Sequence, residues 1–370
     1  MTGLVRFFSN VFILIILAQS LNSNFVQTGV RAKGKINDKE FYSQFLRLCD
    51  SAVVRVTNEK STEPFFVDSY GVRSLCAAYD MTGNSKYLDA CRSWSKRMVE
   101  FQRKMIPPGA YYMNYGRKPG DTSGDWYAAD CSSIAMGVLA TAVRCKSPER
   151  EELINSVEQF ESLVLKNYVR HPGGISDGLW PAYDGAWWCS SSLFASLSFL
   201  LYDNTGDKTY LNAGLNIIDW LDTLDLTTVQ PLPLEHQGPS LPMYVMEAYS
   251  AGWKFISLNK AREEKAAAQV NWCLDWIAGQ QKIPIDKREW ELTKWWGSKY
   301  GGLPFHQFIF SNYLKSEKTK ATTADFELKQ LTNSVIKMNL EKSQLAMFLL
   351  MSYAESLDHG SVYRRIEKKN

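Results

Sequence analysis

Four acidic positions recur in similar surroundings along the 370-residue chain. Asp68 sits in FFVDSYG, Asp130 in YAADCSS, Asp184 in PAYDGAWW, and Glu235 stands next to His236 in PLEHQGPSLP. A carboxyl group at the start of a helix is pulled two ways. The helix N-terminus favours the ionised form, whereas a second carboxylate and apolar aromatic walls favour a retained proton. A group held in that balance can both give and take a proton. Aspartate is also a preferred N-cap, and a capping Asp needs no other purpose. What favours chemistry is recurrence of these acids among Trp126, Tyr127, Trp180, Tyr183, Trp187 and Trp188. Any one of these rings could simply pack a loop or core. As a group they suit stacking on flat, partly apolar ligands such as sugar rings.

The elements that must position these residues are paired helices. YDMTGNSKYLDA (79–90) recurs as YDNTGDKTYLNA (202–213), with seven of twelve positions identical. In each, an apolar helix ends at Tyr-Asp, Thr-Gly makes the turn and Tyr-Leu opens the next helix. Looser versions follow 142 (VRCKSPEREEL) and 255 (ISLNKAREEK), so the units are helical hairpins in series. This predicts twelve helices starting near 39, 69, 84, 130, 147, 187, 207, 240, 262, 303, 323 and 341. They alternate in character: 130–145 is apolar nearly all round, whereas 147–166 has Leu153, Ile154, Val157, Phe160 and Val164 on one face and glutamates opposite. A helix apolar all round is buried and an amphipathic one covers it.

Six hairpins with buried inner and amphipathic outer members describe an all-α (α/α)6 toroid. An open α-solenoid fits the repeat equally well, but the linkers are lopsided. The long, aromatic-rich ones (104–125, 168–186, 223–239, 280–302) all lead from outer to inner helices and would gather at one end, where function usually sits. With adjacent axes roughly 8–10 Å apart, Asp68 and Asp130 on neighbouring inner helices could point at one substrate atom.

A net charge of +3 gives no case for nucleic acid or an anionic membrane surface. The N-terminus, MTGLVRFFSNVFILIILAQSLNS, reads as a signal peptide over 1–20, since its apolar run is far shorter than the roughly 20 residues of a spanning helix. An uncleaved anchor is the lesser alternative. Residues 21–37 form a polar leader, 38–358 a single toroidal domain and 359–370 a charged tail. The expectation is therefore export to a periplasm or the cell exterior, with no stable membrane insertion after cleavage. Seven Cys show no C-x-x-C spacing. Cys76 and Cys91 stand almost symmetrically about the turn at 82–85 and could face each other across a hairpin, whereas Cys131 and Cys145, about 21 Å apart along one helix, cannot pair. GISDG (174–178) matches G-x-S-x-G in form, but Pro172 and Pro181 bracket it without a β pattern, which argues against Ser176 as a nucleophile. Four His without paired-ligand spacing argue against a metal site.

Three segments carry a resemblance: FFVDSYGVRSLCAAYDMTGNSKYLDAC, AADCSSIAMGVLA and YDGAWWCSSSLFASLSFLLYDNTGDKTYL. They are similar to stretches of the unsaturated glucuronyl and unsaturated rhamnogalacturonyl hydrolases, glycoside hydrolase families 88 and 105 of the six-hairpin glycosidase group. The resemblance spans most of 39–357. It implies Asp130 as principal acid/base, Asp68 as its modulating partner, and hydration of the C4–C5 double bond of a terminal unsaturated uronic acid. It implies no metal and no organic cofactor, and an oligosaccharide as the partner. Trp126, Tyr127, Trp180, Tyr183, Asp184, Trp187, Trp188 and His236 are the expected sugar-binding residues. Where those families open an inner helix with Arg-Gly-(Gln/Asn)-x-Trp, this chain reads WCSSSLFAS. Two other classes stay open: a polysaccharide lyase or uronate epimerase using Tyr127, His171, His236 or His306, and a non-catalytic saccharide-binding scaffold.

Overall fold

The computed structural model describes residues 38–114, 126–176, 178, 185–225 and 240–280, with short pieces between 336 and 354. The leader (1–37), the helices expected near 303 and 323, the tail (359–370), and Trp180, Tyr183, Asp184, Glu235, His236 and His306 lie outside the described residues.

The described residues form helices α1 (Asp38–Val56), α2 (Phe65–Thr82), α3 (Ser85–Gln102), α4 (Ala128–Ala142), α5 (Glu149–Asn167), α6 (Trp188–Thr205), α7 (Lys208–Leu221), α8 (Ser240–Ile256) and α9 (Lys260–Gln280). The fold is the expected (α/α)6 toroid. Its one β feature among the described residues is an isolated bridge, Val169 to Ile175. The largest departure from the expected starts is α2, which begins at Phe65 rather than 69. Pro64, with φ −62° and ψ 129°, holds extended backbone just ahead of it, so the helix can propagate at once.

Inner and outer roles follow the sequence pattern. In α2 the fourteen residues from Phe65 to Ala78 are all buried. Amphipathic α3 instead buries one face, including Tyr87, Cys91, Trp94 and Met98. Helices α2, α4, α6 and α8 pack in succession as the inner wall. Their direction can be read from matched contacts. Ser133 of α4 donates to the Phe66 carbonyl (3.2 Å) and meets the Ser69 hydroxyl (2.6 Å), while deeper Arg73 reaches Met136. Trp188 lies against Tyr244, and further along both helices Phe199 stacks on Phe255. Both pairs are therefore parallel, with their N-termini at the long-loop end. Buried Met347 approaches Gly71 of α2, where an added Cβ would meet its sulfur at 2.6 Å.

The repeated motif builds the same turn twice. Gly83 (φ 67°) and Gly206 (φ 77°) take the left-handed conformation, and their N–H groups donate to the Tyr79 and Tyr202 carbonyls, each at 2.7 Å. An added Cβ would have open space at both, so it is the dihedral that calls for glycine there. Asn84 and Asp207 then cap α3 and α7 by accepting from the Lys86 and Thr209 N–H groups. The hairpin α2–α3 also brings Cys76 and Cys91 face to face, with their sulfurs 3.7 Å apart and both thiols free. No helix among the described residues is long and apolar enough to cross a membrane.

Candidate functional site

Asp130 is the third residue of α4, and of the 15 residues in that helix it alone is not buried. It is not the cap: Tyr127 holds that position, without a side-chain cap bond. Stepping three and seven residues along the helix reaches Ser133 and Gly137, both against Ser69. Asp130 therefore lies on the α2-facing side of α4, one turn nearer the long-loop end.

Asp68 is placed differently. It also sits inside its helix, as the fourth residue of α2 behind Pro64. Its carboxylate is fully buried and accepts from Arg55 Nε of α1 at 2.7 Å. Burial pushes the carboxyl up to about 6, against the opposing pull of Arg55 and the more distant Arg97 of α3. Among the described residues Oδ2 has no hydrogen-bond partner. On the helical wheel Asp68 stands about 160° from Tyr70. Tyr70 looks across the ring towards α8, so Asp68 looks outward, to α1 and α3. The expected convergence of the two aspartates on one substrate atom is not what these contacts describe.

The aromatic residues divide. Trp126 is fully buried, edge-on to Tyr168 (4.9 Å) and Phe160 (6.3 Å), so protein already occupies the surroundings of the ring expected to stack a sugar. Tyr127 and Trp187 are partly exposed. Trp187 stacks on the largely buried Trp188 at 5.8 Å and 26°, and Trp188 in turn lies 6.3 Å from Tyr244. Ser176, next after the bridge residue Ile175, is buried and donates to the Tyr168 carbonyl. His171 is on an exposed turn.

Sequence reasoning missed the cluster on the ring axis. Arg73 of α2 meets Glu247 of α8 at 3.1 Å, with both side chains fully buried. Tyr70 reaches Glu247 at 3.5 Å, and the Arg73 guanidinium lies over the Tyr70 ring at 4.3 Å. Burial, followed by the Glu247 charge, holds the Tyr70 hydroxyl far above its ordinary range. Tyr244, one turn before Glu247, is shifted the same way by burial and then by Cys189, Tyr70, Asp130 and Glu247. A usable signal was present: a charge within YGVRSLCAA or YVMEAYSAG, helices apolar all round, can only point into the fold. Among the described residues, no group of three or more His, Cys, Asp or Glu is placed to hold a metal ion.

No family model and no curated protein matches the chain. Among solved structures it is similar to the GH76A alpha-1,6-mannanase from Salegentibacter sp. HEL1_6, at 13% identity over 86% of this chain and 100% of that one, with a TM-score of 0.55. It is also similar to an inactive variant of that enzyme, with two consecutive aspartates replaced by alanine, in complex with alpha-1,6-mannotetrose. The values there are 11% identity, 85% and 99% coverage, and a TM-score of 0.56. At this identity the likeness concerns the fold: a six-hairpin toroid shared with a glycoside hydrolase family, with nothing to single out the unsaturated uronyl branch.

Proposed function

We propose that the chain is a glycoside hydrolase-like enzyme of the exported type, acting on short uronic-acid-containing oligosaccharides at the long-loop end of the toroid. Asp130 is its proton donor and acceptor. The observation that carries this reading is the exposure of α4: a helix otherwise sealed in the core offers solvent one residue, a carboxylate. The partly exposed Tyr127 and Trp187, backed by Trp188, supply rings beside it for a sugar. Asp184 and His236 precede α6 and α8 by four residues each in the sequence and complete the proposed sugar-binding set. Asp68, held by Arg55, acts on Asp130 through its charge without touching the sugar.

The carboxylates that the described residues place at the helix starts favour one chemistry. Among the described residues the first turns of the inner helices carry two acids, Asp68 and Asp130, and α6 and α8 carry none. Ordinary retaining and inverting hydrolysis both need a pair flanking the bond. The mannanase variant is inactive with two consecutive aspartates replaced, and nowhere in this sequence do two aspartates stand side by side. Hydration of an unsaturated uronic acid asks less. Protonated Asp130 gives its proton to C4, water adds to the cation at C5, and the proton that water sheds returns to Asp130. The hemiketal at C5 then opens and releases the attached sugar. One carboxyl completes the cycle.

Unsaturated uronyl disaccharides and alpha-1,6-mannotetrose, offered separately to the mature chain, test this. Loss of the double bond's ultraviolet absorbance, abolished in Asp130→Asn with an unchanged melting temperature, is the expected result. An Asp130→Asn variant that keeps most of the activity removes this residue from the mechanism. Cleavage of the mannotetrose alone moves the substrate to the mannan class, and absorbance gained from a polysaccharide would mark a lyase.

A further inference from the structure

The inner helices are buried almost throughout, so the side chains they do expose near their N-termini outline the cup in which a ligand would sit. Asp130 and Cys189, with Tyr127 and Trp187 just ahead of their helices, are four of these; Tyr244 is the fifth. Because the helices start at a common end, Cys189, Asp130 and Tyr244, at the second, third and fifth positions, share a depth to within about 5 Å. Tyr244 continues the aromatic row from Trp187 through Trp188. Below it, Tyr70, Glu247 and Arg73 form a buried, mutually bonded floor that spans the axis from α2 to α8.

Building on the Asp130 reading, we propose that Tyr244 is a further saccharide-contacting residue of this site: its ring extends the Trp187–Trp188 wall and its hydroxyl bonds the sugar opposite Asp130. The floor beneath has the positioning role. An ion pair locked across the ring keeps α8 at a fixed distance from α2, and hence Tyr244 at a fixed reach from α4. This side of the cup comes from a helix, which suits a contact that must hold one geometry. The phenol stays protonated in this setting, so its O–H is available to donate to a sugar oxygen.

Two measurements decide it. In the first, Tyr244→Phe keeps the ring and loses the hydroxyl; kcat/KM falls by about tenfold, the size of one hydrogen bond to substrate, while Tyr244→Ala also raises KM. A purely structural tyrosine would let Phe retain wild-type kinetics, and that result overturns the proposal. The second needs no turnover. Cys189 lies in the cup, whereas Cys145, also partly exposed, lies on the outer turn after α4. Iodoacetamide labelling, followed by peptide mass spectrometry, should slow at Cys189 and not at Cys145 when an unsaturated uronyl disaccharide or alpha-1,6-mannotetrose is present. Asp130→Asn should retain this protection and Tyr244→Ala should lose it. Turnover without protection of Cys189 by either saccharide overturns this inference and leaves Asp130 standing; protection with an active Asp130→Asn variant does the reverse.

Discussion

The ion pair between Asp68 and Arg55 makes an uncommon forecast about pH. Burial raises the Asp68 carboxyl from an ordinary 3.8 to about 6, in spite of the guanidinium 2.7 Å away. A carboxyl whose folded value is raised contributes stability that is fully present below its unfolded value and is lost as pH climbs through the folded one. A rise of about two units corresponds to about 3 kcal/mol lost across the whole window, of which about 1 kcal/mol falls between pH ~5 and pH ~7. Asp68→Asn keeps the shape and removes the titration. Urea denaturation of both proteins at the two pH values isolates the contribution, because every other titrating group cancels in the difference. The wild-type chain should lose about 1 kcal/mol relative to the variant on going from pH ~5 to pH ~7. Should the wild type instead gain on the variant as pH rises, Arg55 outweighs burial and the reasoning about this pair is wrong.

Two further perturbations test the packing. Glu161 of α5 is fully buried, accepts from the Ser198 hydroxyl at 3.0 Å and has no partner for Oε2 among the described residues; burial raises its carboxyl well above the usual range. Glu161→Gln should therefore gain on the wild type in urea denaturation as pH rises from acid to neutral, and parallel curves would contradict this. Phe199 is wedged between Gly214 of α7 and Gly252 of α8, where added Cβ atoms would meet its ring at 2.7 and 2.3 Å. Gly252→Ala should destabilise by about 1–3 kcal/mol, with part recovered on adding Phe199→Leu, again read from denaturant midpoints.

The hairpin architecture was legible because its signals are local. The TG turn specifies a left-handed glycine and a cap within six residues, and the contrast between AADCSSIAMGVLA and the glutamate-striped helix after it assigns inner and outer layers. The site was legible only in part. Asp130 was visible as an acid at the mouth of an apolar run, but the facing of Asp68 was not. That depends on a one-residue choice on the helical wheel and on Arg55, which lies in another helix. Pro64 had moved the start of α2 four residues forward, which carried Asp68 from a cap position into the first turn. Tyr244 and Glu247 were hidden for a different reason: their partners stand on α2, α4 and α6, too far along the chain for any spacing rule to join them.

The Arg73–Glu247 contact links residues 174 apart, so the bore of the toroid is plugged only once a fourth hairpin exists. A chain truncated after α7 would keep Arg73 buried in the inner wall without Glu247, and removing one partner of a buried ion pair is far costlier than replacing both. Partial rings are thus discouraged by the same side chains that seal the finished one, and assembly of these four hairpins is pressed towards an all-or-none event.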